Sequence, residues 1–164
     1  MPTPFNICLW FDHQAEDAAH FYTAIFKDSR LGRISRYGEA GKEIHGKPPG
    51  SVMTIEFELN GTHFTALNGG PLFQFNEAIS LQVMCDSQAE VDHYWKHLSA
   101  GGPPEAQQCG WLKDRYGLSW QIVPKVLTEM MHDADHARSQ RVMAAMMHMQ
   151  KLDIAALQRA FDQP

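Results

Sequence analysis

Three cysteines in 164 residues, none in a Cys-x-x-Cys spacing, are too few and too scattered for a disulfide framework or a zinc knuckle. Cys8, Cys85 and Cys109 are therefore read as reduced, partly buried thiols. Basic residues are also scarce: 14 Lys and Arg against 19 Asp and Glu give a formal charge of -5 and a pI near 5.9. No general basic field results, so nucleic acid is not the expected partner. No apolar run approaches the roughly 18 residues that a membrane helix needs, and no basic segment followed by an apolar run opens the chain. A cytoplasmic protein with no membrane partner is expected. No Gly-x-Gly stretch follows a strand-like segment, so the glycine turn that seats a dinucleotide or a methyl donor in a doubly wound sheet is missing. His93/His97 and His132/His136 have the i, i+4 spacing of a zinc site but lack the Glu of His-Glu-x-x-His; the first pair is read as a solvated helix face and the second as a surface helix junction.

What the chain does have is 44% apolar and 20% charged residues, enough to bury a full core. The most informative stretch is Cys109 to Pro124. Residues 111–113 are β-prone, 114–117 form a turn ending in Gly117, and 118–123 alternate as a strand that Pro124 terminates. Leu118, Trp120 and Ile122 share its apolar face, so Gln121 on the opposite face is the first candidate to look into a site.

From the start, residues 5–11 alternate as a strand, with Phe5, Ile7, Leu9 and Phe11 on one face and Asn6, Cys8 and Trp10 on the other. Ala18, Phe21, Tyr22, Ile25 and Phe26 recur at helical spacing over 15–26. Residues 31–37 suit a second strand, and Gly38 to Gly50, with four glycines and two prolines, is expected to be a long loop. Strands at 51–59 and 62–68 flank Asn60-Gly61, the strongest two-residue hairpin signal in the chain. That turn sets Phe57 opposite Phe64 and Ile55 opposite Ala66 on the core side. Glu58 then faces His63, and Glu56 faces Thr65.

The order then repeats. Residues 78–85 read as a strand with Ser80, Gln82 and Met84 on the polar side. Ser87 to Glu90 is a capping box opening a helix toward Ala100, with Val91, Tyr94, Trp95 and Leu98 as its stripe. Residues 105–109 suit another strand before the 111–123 hairpin. After Pro124 three helices are expected, the last capped by Asp153. Six of the nine methionines fall in this tail, where soft side chains suit a contact with another subunit or with the chain's own sheet.

This doubled order, the Phe21-Tyr22 pair, the Asn60-Gly61 hairpin and the run Asp114-Arg-Tyr-Gly-Leu-Ser-Trp-Gln-Ile-Val-Pro124 resemble the vicinal oxygen chelate superfamily of glyoxalases, bleomycin resistance proteins and dioxygenases. Within it the sequence looks like the PhnB-like branch, the 3-demethylubiquinone-9 3-methyltransferase domain family. The resemblance implies an α+β fold in which two βαβββ modules, 1–70 and 71–124, form a cupped mixed sheet, followed by a helical tail over 125–164. It also implies a homodimer. Metal ligands of the superfamily carry over to Asn6, Ser80 and Gln121, with His63 or Asn68 nearby. Two amides and a hydroxyl lack the charge and basicity to hold a transition metal, so no metal and no cofactor is expected. The expected partner is a small organic molecule, touched by Asn6, Cys8, Trp10, Glu56, His63, Ser80, Gln82 and Gln121. Two other readings stay open: a metal-dependent lyase or dioxygenase of the same fold, and a protein-interaction module using the Met-rich tail.

Overall fold

In the computed structural model, which describes residues 5–163, Asn60 and Gly61 take φ values of 47° and 81°. Two successive positive φ angles match the right-handed twist of a hairpin, and an Asn-Gly pair adopts them at little cost. The turn joins β3 (Val52–Leu59) to β4 (Thr62–Asn68) with Phe57 opposite Phe64, Ile55 opposite Ala66 and Glu58 opposite His63, the register expected from the turn. β1 (Ile7–Phe11) pairs parallel with β4, and β2 (Ser29–Arg36) pairs antiparallel with β3, giving the order β1-β4-β3-β2.

The parallel pairing requires a crossover, which α1 (Ala15–Ile25) supplies. Ala15, Ala18 and Ala19 are fully buried, so the helix backbone approaches the sheet closely. Tyr22 stacks on Phe57, and Phe57 on Phe64, with ring centroids 6.0 and 5.0 Å apart. Each such buried side chain contributes about 1.5–3 kcal/mol. Gln14 does not cap α1 with its side chain. Instead Asn68, at the end of β4, accepts from the Ala15 N–H at 2.8 Å and donates to the Val52 carbonyl at 3.1 Å. That buried amide ties helix to hairpin.

Three expectations change here. Phe5 lies before β1 and is 87% exposed, since the pairing with β4 begins only at Ile7. Asn6 likewise precedes the strand. The 38–50 loop contains a short helix, α2 (Lys42–His45), with left-handed glycines at both ends. It is anchored, because Tyr37 Oη donates to the Asn68 carbonyl at 2.8 Å and the Tyr37 ring lies 4.5 Å from that of His45.

Chain contacts divide the protein into two compact units, Met1–Phe75 and Asn76–Pro164. In the second, β5 (Leu81–Cys85) pairs parallel with β7 (Ser119–Pro124), which pairs antiparallel with β6 (Trp111–Lys113). α3 (Gln88–Leu98) is the crossover, burying Val91 and Leu98. Ser87 Oγ accepts from the Glu90 N–H, and the Glu90 carboxylate accepts from the Asp86 N–H at 2.6 Å, a capping box displaced by one residue. Two strand expectations fail. Ser80 precedes β5, which starts at Leu81. Residues 105–109 form no strand: Pro104–Ala106 is a 3-10 turn and only Gln108 bridges to Trp111. Pro104 has no N–H for a ladder, and Cys109 and Gly110, at φ 52° and 83°, turn the chain away.

α4 (Lys125–Met131), α5 (His136–Met146) and α6 (Ile154–Asp162) follow. Asp153 caps α6 as expected, accepting from the Ala156 N–H at 2.7 Å. The Met-rich tail largely turns inward: Leu127, Met130, Val142, Leu152 and Leu157 form a buried cluster, with Met131, Met146 and Met149 packed around it.

The hairpin between β6 and β7 is held by Asp114, which is fully buried. Its Oδ1 accepts from the N–H groups of Tyr116 and Leu118 at 2.8 and 3.1 Å, and its Oδ2 from Trp120 Nε1 at 2.8 Å. Asp114→Ala removes three hydrogen bonds, two of them buried, and is expected to cost about 3 kcal/mol in urea unfolding. Asp114→Asn keeps one acceptor oxygen and should cost less; an Ala variant as stable as the parent would refute this role.

Candidate functional site

Register decides which side chains meet on the polar face of the first sheet, the side away from α1. Glu58 lies opposite both Arg30 and His63, and Glu56 opposite Thr65, which itself pairs with Cys8. A bulge between Leu31 and Ile34 sets Gly32 and Arg33 against Glu56. Gly32 is needed there: a Cβ would lie 2.9 Å from Glu56 Cβ and 3.1 Å from its carbonyl oxygen. Arg33 Nε and Nη2 then donate to the two Glu56 oxygens at 3.0 and 2.8 Å. That hydrogen bonding holds the Glu56 carboxyl below the usual carboxylate range. Arg30 Nη2 donates to Glu58 Oε2, and His63 Nδ1 lies 3.7 Å from the same oxygen.

Asn6, Glu56 and His63 therefore come together, lining a pocket of about 300 Å³ with Arg30, Arg33, Glu58, Phe57 and Phe64. Cys8 and Trp10 share the face but do not line that pocket. Trp10 is braced: its Nε1 donates to the Gly70 carbonyl at 2.8 Å, and Phe73 meets its ring edge-on at 5.0 Å. Cys8 is exposed, although partial desolvation pushes its thiol pKa up. Asn68 is spent on the helix cap and is not presented on this face.

On the second sheet, Gln121 Nε2 donates to Ser80 Oγ at 2.7 Å, and Gln82 Nε2 donates to Gln121 Oε1 at 3.2 Å. Ser80, Gln121 and Gln82 thus form one hydrogen-bonded ladder on the side away from α3, with Trp111 opposite Gln121. Beside it lies a pocket of about 340 Å³, whose walls include Cys109, Trp111, Lys113 and Ser119. The eight expected residues accordingly fall into five on the first unit and three on the second.

Arg30, Arg33, Lys113 and Ser119 were not singled out from sequence. The bulge conceals Arg33, because a break in alternation has no local signature stronger than one glycine. Ser119 carried a signal, sharing the strand face of Gln121.

The donor chemistry does not fit a transition metal. Among the described residues no group of three or more His, Cys, Asp or Glu is placed to hold an ion. Glu56 and Glu58 are engaged by arginines, and the second sheet offers amides and a hydroxyl. The helix histidines do not change this: His97 Nδ1 lies 2.7 Å from the His93 carbonyl, and His132 Nδ1 2.7 Å from that of Thr128.

Two mixed sheets, in each of which the first strand pairs in parallel with the last by way of a helical crossover, define the glyoxalase/bleomycin resistance fold of the vicinal oxygen chelate superfamily. Within it the chain belongs to the 3-demethylubiquinone-9 3-methyltransferase family, the PhnB-like branch, whose model matches residues 3–123. Helices α4 to α6 lie beyond that match. A putative 3-demethylubiquinone-9 3-methyltransferase, PhnB protein, from Bacillus cereus is 33% identical, with 74% of this chain and 99% of that one covered and a TM-score of 0.62. Protein PA1353 from Pseudomonas aeruginosa is 18% identical over 76% and 98% of the two chains, with a TM-score of 0.58. The fosfomycin resistance protein FosX from Mesorhizobium loti is 14% identical over 81% and 99%, with a TM-score of 0.55. The last two share the fold alone. No match is found among curated proteins.

Of the three thiols, Cys85 points to the helix side, and burial pushes its pKa up to about 12. A raised folded pKa favours the neutral thiol. Its contribution to stability is complete below pH 9.0, the ordinary value, and is lost as pH rises through about 12. With a chromogenic disulfide reagent at pH 8, Cys85 should stay unmodified until denaturant is added; rapid native labelling of Cys85, located by peptide mass mapping, would contradict its placement.

Proposed function

We propose that the chain is a PhnB-like protein that binds a small organic molecule without a metal or other cofactor. The observation that carries this reading is the Ser80–Gln121–Gln82 ladder, which fixes the orientation of two amides on an otherwise open sheet face. Gln121 is half-buried and held on both sides, so little rotamer entropy remains to be lost when a ligand docks. Gln82, at the exposed end of the ladder, offers further hydrogen-bonding capacity to that ligand. Fixed amides of this kind confer orientation and specificity on a neutral or weakly polar molecule, the common composition of small-molecule sites.

The reading includes a homodimer in the cytoplasm. The edge strand β2, which exposes Leu31 and Ile34, supports the first part, since an open edge with apolar side chains invites a second chain. Three free cysteines support a reducing compartment.

The test is a ligand-observed NMR screen of a fragment mixture against the parent chain and Gln121→Ala. Fragments that bind the parent should bind the variant about tenfold more weakly. The melting temperature should fall by less than about 4 °C, because a half-exposed amide contributes modestly to stability. Unchanged fragment binding together with a much lower melting temperature would make Gln121 a structural brace and refute the proposal.

A further inference from the structure

Ser119 is 1% exposed, and its Oγ is a buried polar atom without a hydrogen-bond partner among the described residues. A buried hydroxyl left unpaired is costly, and in a close-packed fold each one calls for a reason. This one lies on the wall of the pocket of about 340 Å³ in the second unit. Its strand neighbours Leu118 and Trp120 are buried toward α3, so Ser119 belongs to the opposite, pocket-side face with Gln121. The cross-strand partner of Ser119 is Lys113, and the next pair on that face is Trp111 with Gln121.

The rest of the lining restricts what can pair with the hydroxyl. Trp111, Leu112, Ala106 and Cys109 give mainly apolar walls, with an indole broad enough to cover a flat ring. The Lys113 ammonium already forms an ion pair with Glu77, and that hydrogen bond holds the Glu77 carboxyl below its usual range. The pair leaves the pocket neutral, and an incoming anion would have to displace Glu77. The Gln108 side-chain nitrogen is likewise engaged, donating to the Met147 carbonyl at 2.9 Å and lying 3.3 Å from Cys109 Sγ. Ser119 Oγ is thus the fully buried polar atom of the pocket that has no partner among the described residues.

We propose that this pocket is a binding subsite for a flat, uncharged, largely apolar molecule, one whose single carbonyl or hydroxyl oxygen hydrogen-bonds to Ser119 Oγ while its ring lies against Trp111. The inference rests on the small-molecule reading above and names the ligand class that this part of the sheet selects. It also accounts for a serine where a buried Ala or Val would satisfy packing alone.

The test uses three probes on the full chain, acetophenone, toluene and benzoate, followed by amide and Trp indole chemical shifts. Acetophenone should perturb Trp111, Lys113 and Ser119, and should bind about threefold to tenfold more tightly than toluene, the range of one net hydrogen bond. Benzoate should bind more weakly than acetophenone, since it meets the Lys113–Glu77 pair. Ser119→Ala should erase the preference for acetophenone over toluene while the melting temperature of the free protein stays level or rises, because the orphaned hydroxyl is gone. The proposal is overturned if the preference survives in Ser119→Ala, if benzoate is the tightest of the three, or if none perturbs the pocket. Shifts confined to Gln82 and Gln121 would also overturn it and leave the amide-ladder reading standing. Loss of that ladder reading is instead seen in Gln121→Ala, a separate variant and readout.

Discussion

One buried carboxylate sets the geometry on which the candidate chemistry depends. Asp114 gathers two backbone N–H groups of its own turn and the indole N–H of Trp120, and its backbone N–H and C=O close the same turn onto Leu118 and Gly117. Trp120 is thereby drawn to the helix side of β7. By the two-residue period of a strand, Ser119 and Gln121 must then face the other way. A shift of one residue would bury Gln121 and expose Trp120, so the carboxylate acts as a register pin for the face that carries the amide ladder. The energy is favourable because a buried carboxylate accepting three hydrogen bonds offsets its own desolvation.

The two sheets solve the same problem with different chemistry on their open faces. The first neutralises its carboxylates with arginines from β2, an arrangement that depends on the Gly32 bulge. These pairs are exposed, and each contributes little to stability, so their main effect is to set the local charge of the pocket near Asn6 and His63. The second sheet carries amides and hydroxyls instead, and its one ammonium, Lys113, is matched by Glu77. Both faces are close to neutral within themselves. Uncharged ligands suit such surfaces better than metal-bound or strongly ionic ones.

Much of this was legible in the sequence where a short-range constraint governs. Asn60-Gly61 permits only a tight turn, and the entire β3–β4 register follows from it, including the meeting of Glu58 with His63. The Asp114–Gly117 turn and the capping roles of Ser87 and Asp153 are local in the same sense. The resemblance to the PhnB-like branch drew on the doubled order, the Phe21-Tyr22 pair, the Asn60-Gly61 hairpin and the 114–124 run, and the family match over residues 3–123 agrees with it. What sequence did not reveal depends on distant partners. Residues 105–109 have acceptable strand composition, yet the Cys109 and Gly110 N–H groups donate to the Met149 and Gln150 carbonyls of the tail, not to a neighbouring strand. Asn68 looked available as a ligand donor until the helix end lacking a cap of its own claimed it. Ser119 could be placed on the correct face, but the absence of a partner for its hydroxyl is a property of the packed fold.

The central claim, that this family member carries a small organic ligand and no resident metal, is tested most directly by native mass spectrometry of freshly purified protein with and without a chelator. The account predicts a dimer whose mass does not respond to the chelator and which releases an organic adduct on denaturation. A chelator-sensitive mass of one metal ion per chain would contradict it.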